Sequence, residues 1–100
     1  MKQLEQQQIL VEDLTENEIL NGDKVDLIVF NDDVNTFDWV IISFMEVCEL
    51  SYQEAVQKTF YIHYNGVGVV RTDEYSIIKL MKEQLVERGL NAIIGRSQLN

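Results

Sequence analysis

The chain has 100 residues, 46% of them hydrophobic, which suits one small domain with a single core. Its 17 acidic and 8 basic residues give a formal net charge of −9, and this charge argues against nucleic acid or an anionic membrane as a partner. No apolar run reaches the roughly 18 residues of a membrane-spanning helix, and the one cysteine, Cys48, cannot form an internal disulfide. We therefore expect a cytoplasmic, monomeric protein.

The first 23 residues differ in composition from the rest. Residues 2–8 are polar and include no aromatic side chain, and Asn21-Gly22-Asp23 is a turn signal. This composition predicts a flexible N-terminal extension over residues 1–23 that adds little to stability. It is expected to precede a folded core over residues 24–95 and a polar C-terminal tail over residues 96–100.

The core is predicted to begin with a buried strand and a helix. Residues 24–30 are β-branched and apolar, and the run from Leu27 to Phe30 does not alternate with polar residues. Such a run is typical of a strand that is covered on both faces. Asn35 is then expected to cap a helix that ends near Cys48, because a short polar side chain satisfies the free N–H groups of a first turn.

A second helix is marked by signals at both of its ends. Ser51 is followed by Glu54 three residues later, which is the capping box of a helix start. Gly66 is placed to end this helix in the left-handed conformation that glycine adopts readily. The pattern therefore predicts a helix from just after Ser51 to just before Gly66.

The rest of the core is predicted to form strand, helix and strand. Residues 67–72 read as a short strand, Asp73 as the opening of a third helix, Gly89 as the cap that closes it, and residues 92–94 as a last strand. Three strands and three helices in this length predict an α+β domain. Its expected architecture is a two-layer sandwich, with a small, mainly antiparallel three-stranded sheet packed by helices.

Two polar clusters interrupt the apolar pattern. Asn31, Asp32 and Asp33 directly follow the first strand, and His63, the one histidine, stands near the end of the second helix. Side chains of this kind are acceptors for a protonated amine, which offers several N–H donors and one positive charge. Taken alone, however, the first cluster is also typical of a turn, and a single histidine near a helix end is more often structural.

These clusters and their surroundings resemble the ClpS family, the adaptors of the bacterial N-degron pathway. The resemblance rests on Leu-Ile-Val-Phe-Asn-Asp-Asp at 27–33, on Asn-Thr-Phe at 35–37 with Val40 one turn later, and on residues 59–66. It covers residues 24–94. It implies a small sheet packed by helices, in agreement with the periodicity.

The resemblance also implies which residues bind the ligand's amine. In the family, the α-amino group is held by the asparagine, the aspartates and the histidine of the two motifs. Transferred to this chain, these residues are Asn31, Asp33 and His63, with Asp32 beside them. A free α-amino group has a pKa of about 8, so it is largely protonated at neutral pH and suits these acceptors.

A hydrophobic pocket for the first side chain of the ligand is implied in the same way. Its matching positions in this chain are Phe30, Asn35, Phe37, Val40, Thr59 and Ile62. Family members commonly carry Met at the positions of Phe37 and Thr59. Because Phe is stiffer than Met and Thr is more polar, we expect the size and the preference of the pocket to differ here.

The function implied is that of a non-enzymatic adaptor without a cofactor. Such an adaptor binds N-degron peptides or proteins with a large hydrophobic first residue and delivers them to a Clp unfoldase and peptidase. Its expected partner is the N-terminal domain of a ClpA-type or ClpC-type AAA+ unfoldase. Glu74 and Lys79 are candidates for the contact with that domain.

Two alternatives remain at this stage. Asp32, Asp33 and His63 offer two carboxylates and an imidazole, which are ligands for a divalent metal, so an enzyme or a metal-binding protein is one alternative. The other is a purely structural interaction domain that resembles the C-terminal domain of the ribosomal stalk protein. The first alternative requires that the three side chains converge, and the second leaves both clusters without a ligand.

Overall fold

The computed structural model of the protein describes residues 11–20 and 22–97. Within these residues the chain forms three α-helices and one three-stranded antiparallel sheet, which confirms the predicted α+β class. None of the helices in this described part is long and apolar enough to cross a membrane. The elements, in chain order, are β1 (Lys24–Phe30), α1 (Phe37–Cys48), α2 (Tyr52–Asn65), β2 (Val67–Glu74), α3 (Tyr75–Glu87) and β3 (Asn91–Arg96).

β1 is the central strand of the sheet, and β2 and β3 pair with it on either side. Its interior is buried on both faces, with Val25, Leu27 and Val29 on one face and Asp26 and Ile28 on the other, as the unbroken apolar run predicted. At its end, Phe30 pairs with Val67 of β2 and with Asn91 of β3. The residues that follow β1 therefore leave the sheet between the start of β2 and the start of β3.

The starts of the first two helices are set by side-chain caps. The capping box of α2 is confirmed, because Ser51 accepts from the Glu54 N–H while the Glu54 carboxylate accepts from the Ser51 N–H. For α1 the prediction of Asn35 as the cap is wrong. Thr36 takes that position and accepts from the Trp39 N–H at 3.1 Å, because the Asn35 side chain is engaged elsewhere.

The boundary between β2 and α3 also differs from the prediction. β2 runs to Glu74, so Asp73 does not open α3. Asp73 pairs with Val25 across the sheet, and its carboxylate lies 3.3 Å from the Arg71 guanidinium. These sheet contacts outweigh its preference for a helix start. At the other end, Arg88 is the cap of α3, and Gly89 follows it with a φ of +88°.

Part of the N-terminal segment packs against the sheet. The Leu14 N–H donates to the Ile94 carbonyl at 2.7 Å, and the Asp13 carboxylate accepts from the Ile94 N–H at 3.2 Å. The Leu14 side chain is buried in the core. This part of the chain therefore contributes to packing, in contrast with the sequence-based expectation for the extension. Residues 1–10 lie outside the described residues, and the division at residue 23 stays a prediction.

Candidate functional site

A pocket opens where β1 ends, between the start of α1 and the second half of α2. The empty space in it is about 360 Å³, a figure that includes open solvent at its mouth. All six residues predicted for the side-chain pocket line it. The complete lining is Val29, Phe30, Asn31, Asp32, Asn35, Phe37, Val40, Thr59, Ile62 and Leu90.

A backbone hydrogen bond beside this pocket joins the segments that carry the two polar clusters. The Asn31 N–H donates to the Gly66 carbonyl at 2.9 Å, so the residue after β1 is tied to the residue that ends α2. Gly66 has a φ of +88°, which allows the chain to reverse there into β2. Because β1 and β2 are neighbours, residues 31 and 66 are brought together although they are far apart in sequence.

Asp32 organises the loop between β1 and α1. Its Oδ1 accepts from the backbone N–H groups of Val34 and Asn35 at 2.8 and 2.7 Å, and its Oδ2 accepts from Asn35 Nδ2 at 2.9 Å. Burial raises the pKa of the Asp32 carboxyl, but these hydrogen bonds outweigh burial and lower the pKa below its ordinary value. The carboxylate is therefore ionised at neutral pH and fixed at the wall of the pocket.

Asn35 connects this loop to the turn between α3 and β3. Its Nδ2 donates both to Asp32 Oδ2 and to the Gly89 carbonyl, at 2.9 and 3.0 Å. The Asn35 amide therefore connects the acidic loop to Gly89, the residue before Leu90. Leu90 itself lines the pocket. Asn35 is both a lining residue and a positioning residue for the two sides of the pocket.

A second connection joins α1 to the same turn. Trp39 Nε1 donates to the Arg88 carbonyl at 2.9 Å, and the Arg88 guanidinium lies 5.4 Å from the centre of the Trp39 ring. The guanidinium also pairs with Glu46 at 2.8 Å and donates to Ser43 at 3.4 Å. These contacts hold the start of β3 beside α1, and they hold Leu90 in place as part of the pocket wall.

One lining residue of the pocket, Phe37, belongs to a group of four aromatic rings. Phe37 packs edge-on against Phe60 and against His63, with ring centres 5.1 and 4.9 Å apart. Tyr64 lies beyond them, with its ring centre 6.2 Å from that of Phe60 and 5.1 Å from that of His63. His63 is thus placed against a lining residue of the pocket, although it is exposed and does not itself line the cavity.

The α2 side of the pocket depends on close packing against β2. A Cβ atom at Gly68 would lie 2.8 Å from Cγ1 of Ile62, which is closer than side chains tolerate. Glycine therefore allows α2 to approach the strand and fixes the position of Ile62. One turn earlier in the helix, the Thr59 hydroxyl donates to the Ala55 carbonyl at 2.8 Å. Its proton is used within α2, so Thr59 adds less polarity to the pocket than its residue type suggests.

The four residues predicted for amine binding do not all occupy the same position. Asn31 and Asp32 line the pocket, and His63 borders it through Phe37. Asp33 is exposed and is not among the lining residues. Among the residues that the structure describes, no group of three His, Cys, Asp or Glu side chains is arranged to hold a metal ion. The metal alternative therefore has no geometric support in that part of the chain.

Two lining residues, Val29 and Leu90, were not predicted. Val29 is a buried residue near the end of β1. Only the sheet register shows that Leu90, which precedes β3, reaches the end of β1. Glu74 and Lys79 are both exposed on another part of the surface, and Glu74 lines a separate open cleft together with Glu16 and Asp23. These two residues are therefore not part of the pocket.

The lining of the pocket combines oxygen acceptors with apolar side chains. Asn31 and Asp32 supply the acceptors, and the aliphatic and aromatic side chains of β1, α1 and α2 supply the apolar lining. Such a site suits a group that carries a positive charge directly beside an apolar side chain. The geometry therefore points to binding.

Comparison with known proteins gives a consistent result. The family model for "ATP-dependent Clp protease adaptor protein ClpS" matches residues 21–93. The ATP-dependent Clp protease adapter protein ClpS of Prochlorococcus marinus (strain MIT 9515) is 29% identical over 76 residues, which are 75% of this chain and 72% of the relative. The structure of Agrobacterium tumefaciens ClpS2 bound to L-phenylalaninamide superposes with a TM-score of 0.72 at 17% identity, over 75% of this chain and 98% of that one.

Proposed function

The chain belongs to the ClpS family of ATP-dependent Clp protease adaptor proteins, and from this premise we propose that it holds substrates by their N-terminal residue. It is an adaptor of Clp protease and not an enzyme. In this proposal the free α-amino group binds to Asn31 and Asp32, which line the pocket, with the exposed Asp33 and His63 as further acceptors. The first side chain of the substrate enters the pocket.

The observation that carries this proposal is the pocket at the end of β1, whose lining includes Asn31 and Asp32 together with apolar side chains. An ionised carboxylate forms charge-assisted hydrogen bonds with an ammonium, and these are about twice as strong as neutral ones. The apolar interior adds about 1.5–3 kcal/mol for a buried side chain of the size of Leu or Phe. The ligand in the related Agrobacterium structure, L-phenylalaninamide, has the combination of groups that this pocket suits.

We propose that the pocket prefers a large hydrophobic first residue such as Leu, Phe, Tyr or Trp. A charged first residue such as Arg should bind poorly, because its guanidinium would be buried among apolar side chains and the engaged Thr59 hydroxyl. The test is a titration of peptides that differ in residue one alone. Tight binding of the Arg-first peptide would contradict this assignment.

A matched pair of variants links this preference to the pocket. Val40 and Val56 are both partly buried and packed against the core, but of the two only Val40 lines the pocket. Val40→Ala should therefore change the ratio of affinities for Phe-first and Leu-first peptides, whereas Val56→Ala should leave this ratio unchanged. If the two variants behave alike, the side chain does not enter this pocket.

The proposed partner is the N-terminal domain of a ClpA-type or ClpC-type unfoldase. Glu74 and Lys79 are exposed and lie away from the pocket, so they are available for this contact while a substrate is bound. The assay is degradation of a Leu-first substrate by the purified unfoldase and peptidase. Lys79→Glu should reduce degradation but not peptide affinity, and a variant that retains full delivery would remove Lys79 from the interface.

A further inference from the structure

Three large apolar side chains lie on the solvent side of α1. Trp39, Ile42 and Met45 follow one another at intervals of three residues and are 39%, 43% and 36% exposed. This spacing makes them neighbours on the helix surface, and we call these three residues the α1 stripe. Isolated exposed apolar residues are ordinary on a protein surface, but three neighbours on one helix indicate a contact surface.

The ring of Trp39 is held in place before any partner arrives. Its Nε1 donates to the Arg88 carbonyl at 2.9 Å, and the Arg88 guanidinium lies 5.4 Å from the centre of the ring. A side chain that is already ordered loses little conformational entropy when it is covered, and Trp is among the residue types enriched at the energetic centres of interfaces. Trp39 therefore gives the α1 stripe a fixed aromatic anchor.

Acidic residues flank the stripe at helical spacing. Asp38 and Glu46 are four residues before and after Ile42, Glu49 is four residues after Met45, and all three acids are exposed. Residues four apart on a helix are neighbours, so these carboxylates lie beside the apolar side chains. The edges of the stripe are therefore acidic.

The acids at these edges are only partly neutralised within the chain. Glu46 pairs with Arg88 at 2.8 Å, and Glu49 lies 3.9 Å from Arg71. Asp38 takes part in none of the ion pairs found among residues 11–20 and 22–97. A partner that covers the stripe therefore meets negative charge around it, and cationic groups on that partner are favoured.

We infer that the α1 stripe is a docking surface for a protein partner that presents an amphipathic helix with Lys or Arg beside its apolar residues. Residues 25–57, which include all of α1, contain seven acidic residues and no Lys or Arg, so such a helix finds complementary charge along α1. A second copy of this chain carries the same net charge of −9 and is disfavoured by repulsion. No residue of the stripe lines the pocket, so this docking does not depend on the proposed function.

The probe for this surface is an acetylated and amidated helical peptide of about 18 residues. It has Leu along one face and Lys on both flanks, and a matched peptide has Glu in place of each Lys. Neither peptide contains Trp, so the emission of Trp39, the one tryptophan of the chain, reports coverage of the stripe. The anisotropy of a dye-labelled peptide gives a second measure of the same affinity.

Two matched pairs of variants locate the binding. Ile42→Gln is compared with Ile77→Gln, because Ile77 is 39% exposed and lies on α3. Asp38→Asn is compared with Glu83→Gln, because Glu83 is an exposed acid of α3. The first pair leaves the charge of the protein unchanged, and the two members of the second pair change it equally.

We expect the Lys peptide to shift the Trp39 emission to shorter wavelength and the Glu peptide to bind at least about tenfold more weakly. Ile42→Gln should weaken the Lys peptide about five- to tenfold and Asp38→Asn about two- to threefold, whereas both α3 variants should bind it like the wild type. No binding of the Lys peptide, equal affinity for the two peptides, or equal losses in Ile42→Gln and Ile77→Gln would overturn the proposal. Sedimentation velocity of the protein alone adds one more such outcome, a dimer that Ile42→Gln dissociates, because a second copy would then cover the stripe.

Discussion

Asn35→Asp should weaken the domain and its pocket together, and the effect should depend on pH. The substitution preserves the shape of the side chain but replaces the Nδ2 donor, which lies 2.9 Å from Asp32 Oδ2 and 3.0 Å from the Gly89 carbonyl. A hydrogen bond to a charged group contributes about 1.5–3 kcal/mol, and one to a neutral carbonyl about 0.5–1.5 kcal/mol. The second bond is exposed, so we take the low end of its range.

The loss of these two bonds alone predicts a decrease of about 2–3.5 kcal/mol in the free energy of unfolding. Asn35→Ala removes the same donors without adding a charge, so it serves as the control. In Asn35→Asp two carboxylates face each other, which raises the pKa of the new carboxyl above its unfolded value of about 3.9. The additional loss of free energy of unfolding is therefore complete when the pH is above the pKa of this carboxyl in the folded protein. It disappears as the pH falls towards the pKa of the same carboxyl in the unfolded chain.

Urea unfolding of both variants and the wild type at pH 7 and pH 4 measures these effects. At pH 7, Asn35→Asp should be less stable than Asn35→Ala, and the difference between the two should narrow at pH 4. Peptide affinity should fall in both variants, since Leu90 and the acidic loop lose their connection. Two results would contradict the role given to the Asn35 hydrogen bonds with Asp32 and Gly89. One is an Asn35→Asp variant as stable as the wild type at pH 7, and the other is a stability difference from Asn35→Ala that does not change with pH.

Three further predictions follow from buried groups away from the pocket. Leu14→Ala should lower the free energy of unfolding, measured in urea, by about 2–5 kcal/mol, because Leu14 is buried in the core. Removal of residues 1–10 should leave the unfolding midpoint unchanged. Equal effects of the two changes would contradict the packing of Leu14. Burial raises the pKa of the Asp26 carboxyl, although a hydrogen bond from Thr72 opposes this rise. Asp26→Asn should therefore raise the melting temperature at pH 7, and this increase should shrink as the pH falls towards about 4. An increase that does not change with pH would show that the buried charge of Asp26 is not its cause. Burial raises the pKa of the Cys48 thiol to about 12. A thiol reagent at pH 8 should therefore label the unfolded protein but not the native one. Rapid labelling of the native protein would show that the core around Cys48 opens.

Much of the fold was predictable because its signals are local. The capping box at Ser51, the glycine at 66 and the unbroken apolar run of β1 each mark a boundary within a few residues of sequence. The errors occurred where a distant partner decides. Asp73 stays in β2 because it pairs with Val25 of β1 across the sheet. Asn35 does not cap α1 because its amide binds Asp32 and Gly89.

The site was predictable in part for the same reason. Residues of the two motifs and of the first turns of the helices follow from sequence pattern and from the resemblance to ClpS. Leu90 could not be found in this way, since it reaches the pocket only through the pairing of β3 with β1. The Trp39–Arg88 connection likewise joins α1 to a turn 49 residues away, and neither residue type alone predicts the other as its partner.

The central claim is that the pocket recognises a free α-amino group beside a large apolar side chain. The most direct test is the titration of one Leu-first peptide with either a free or an acetylated N-terminus against the wild-type protein at pH 7. Loss of one partner of a desolvated charged pair costs about 2–5 kcal/mol. We therefore predict that acetylation weakens binding by more than about tenfold. Equal affinity for the two peptides would contradict the claim.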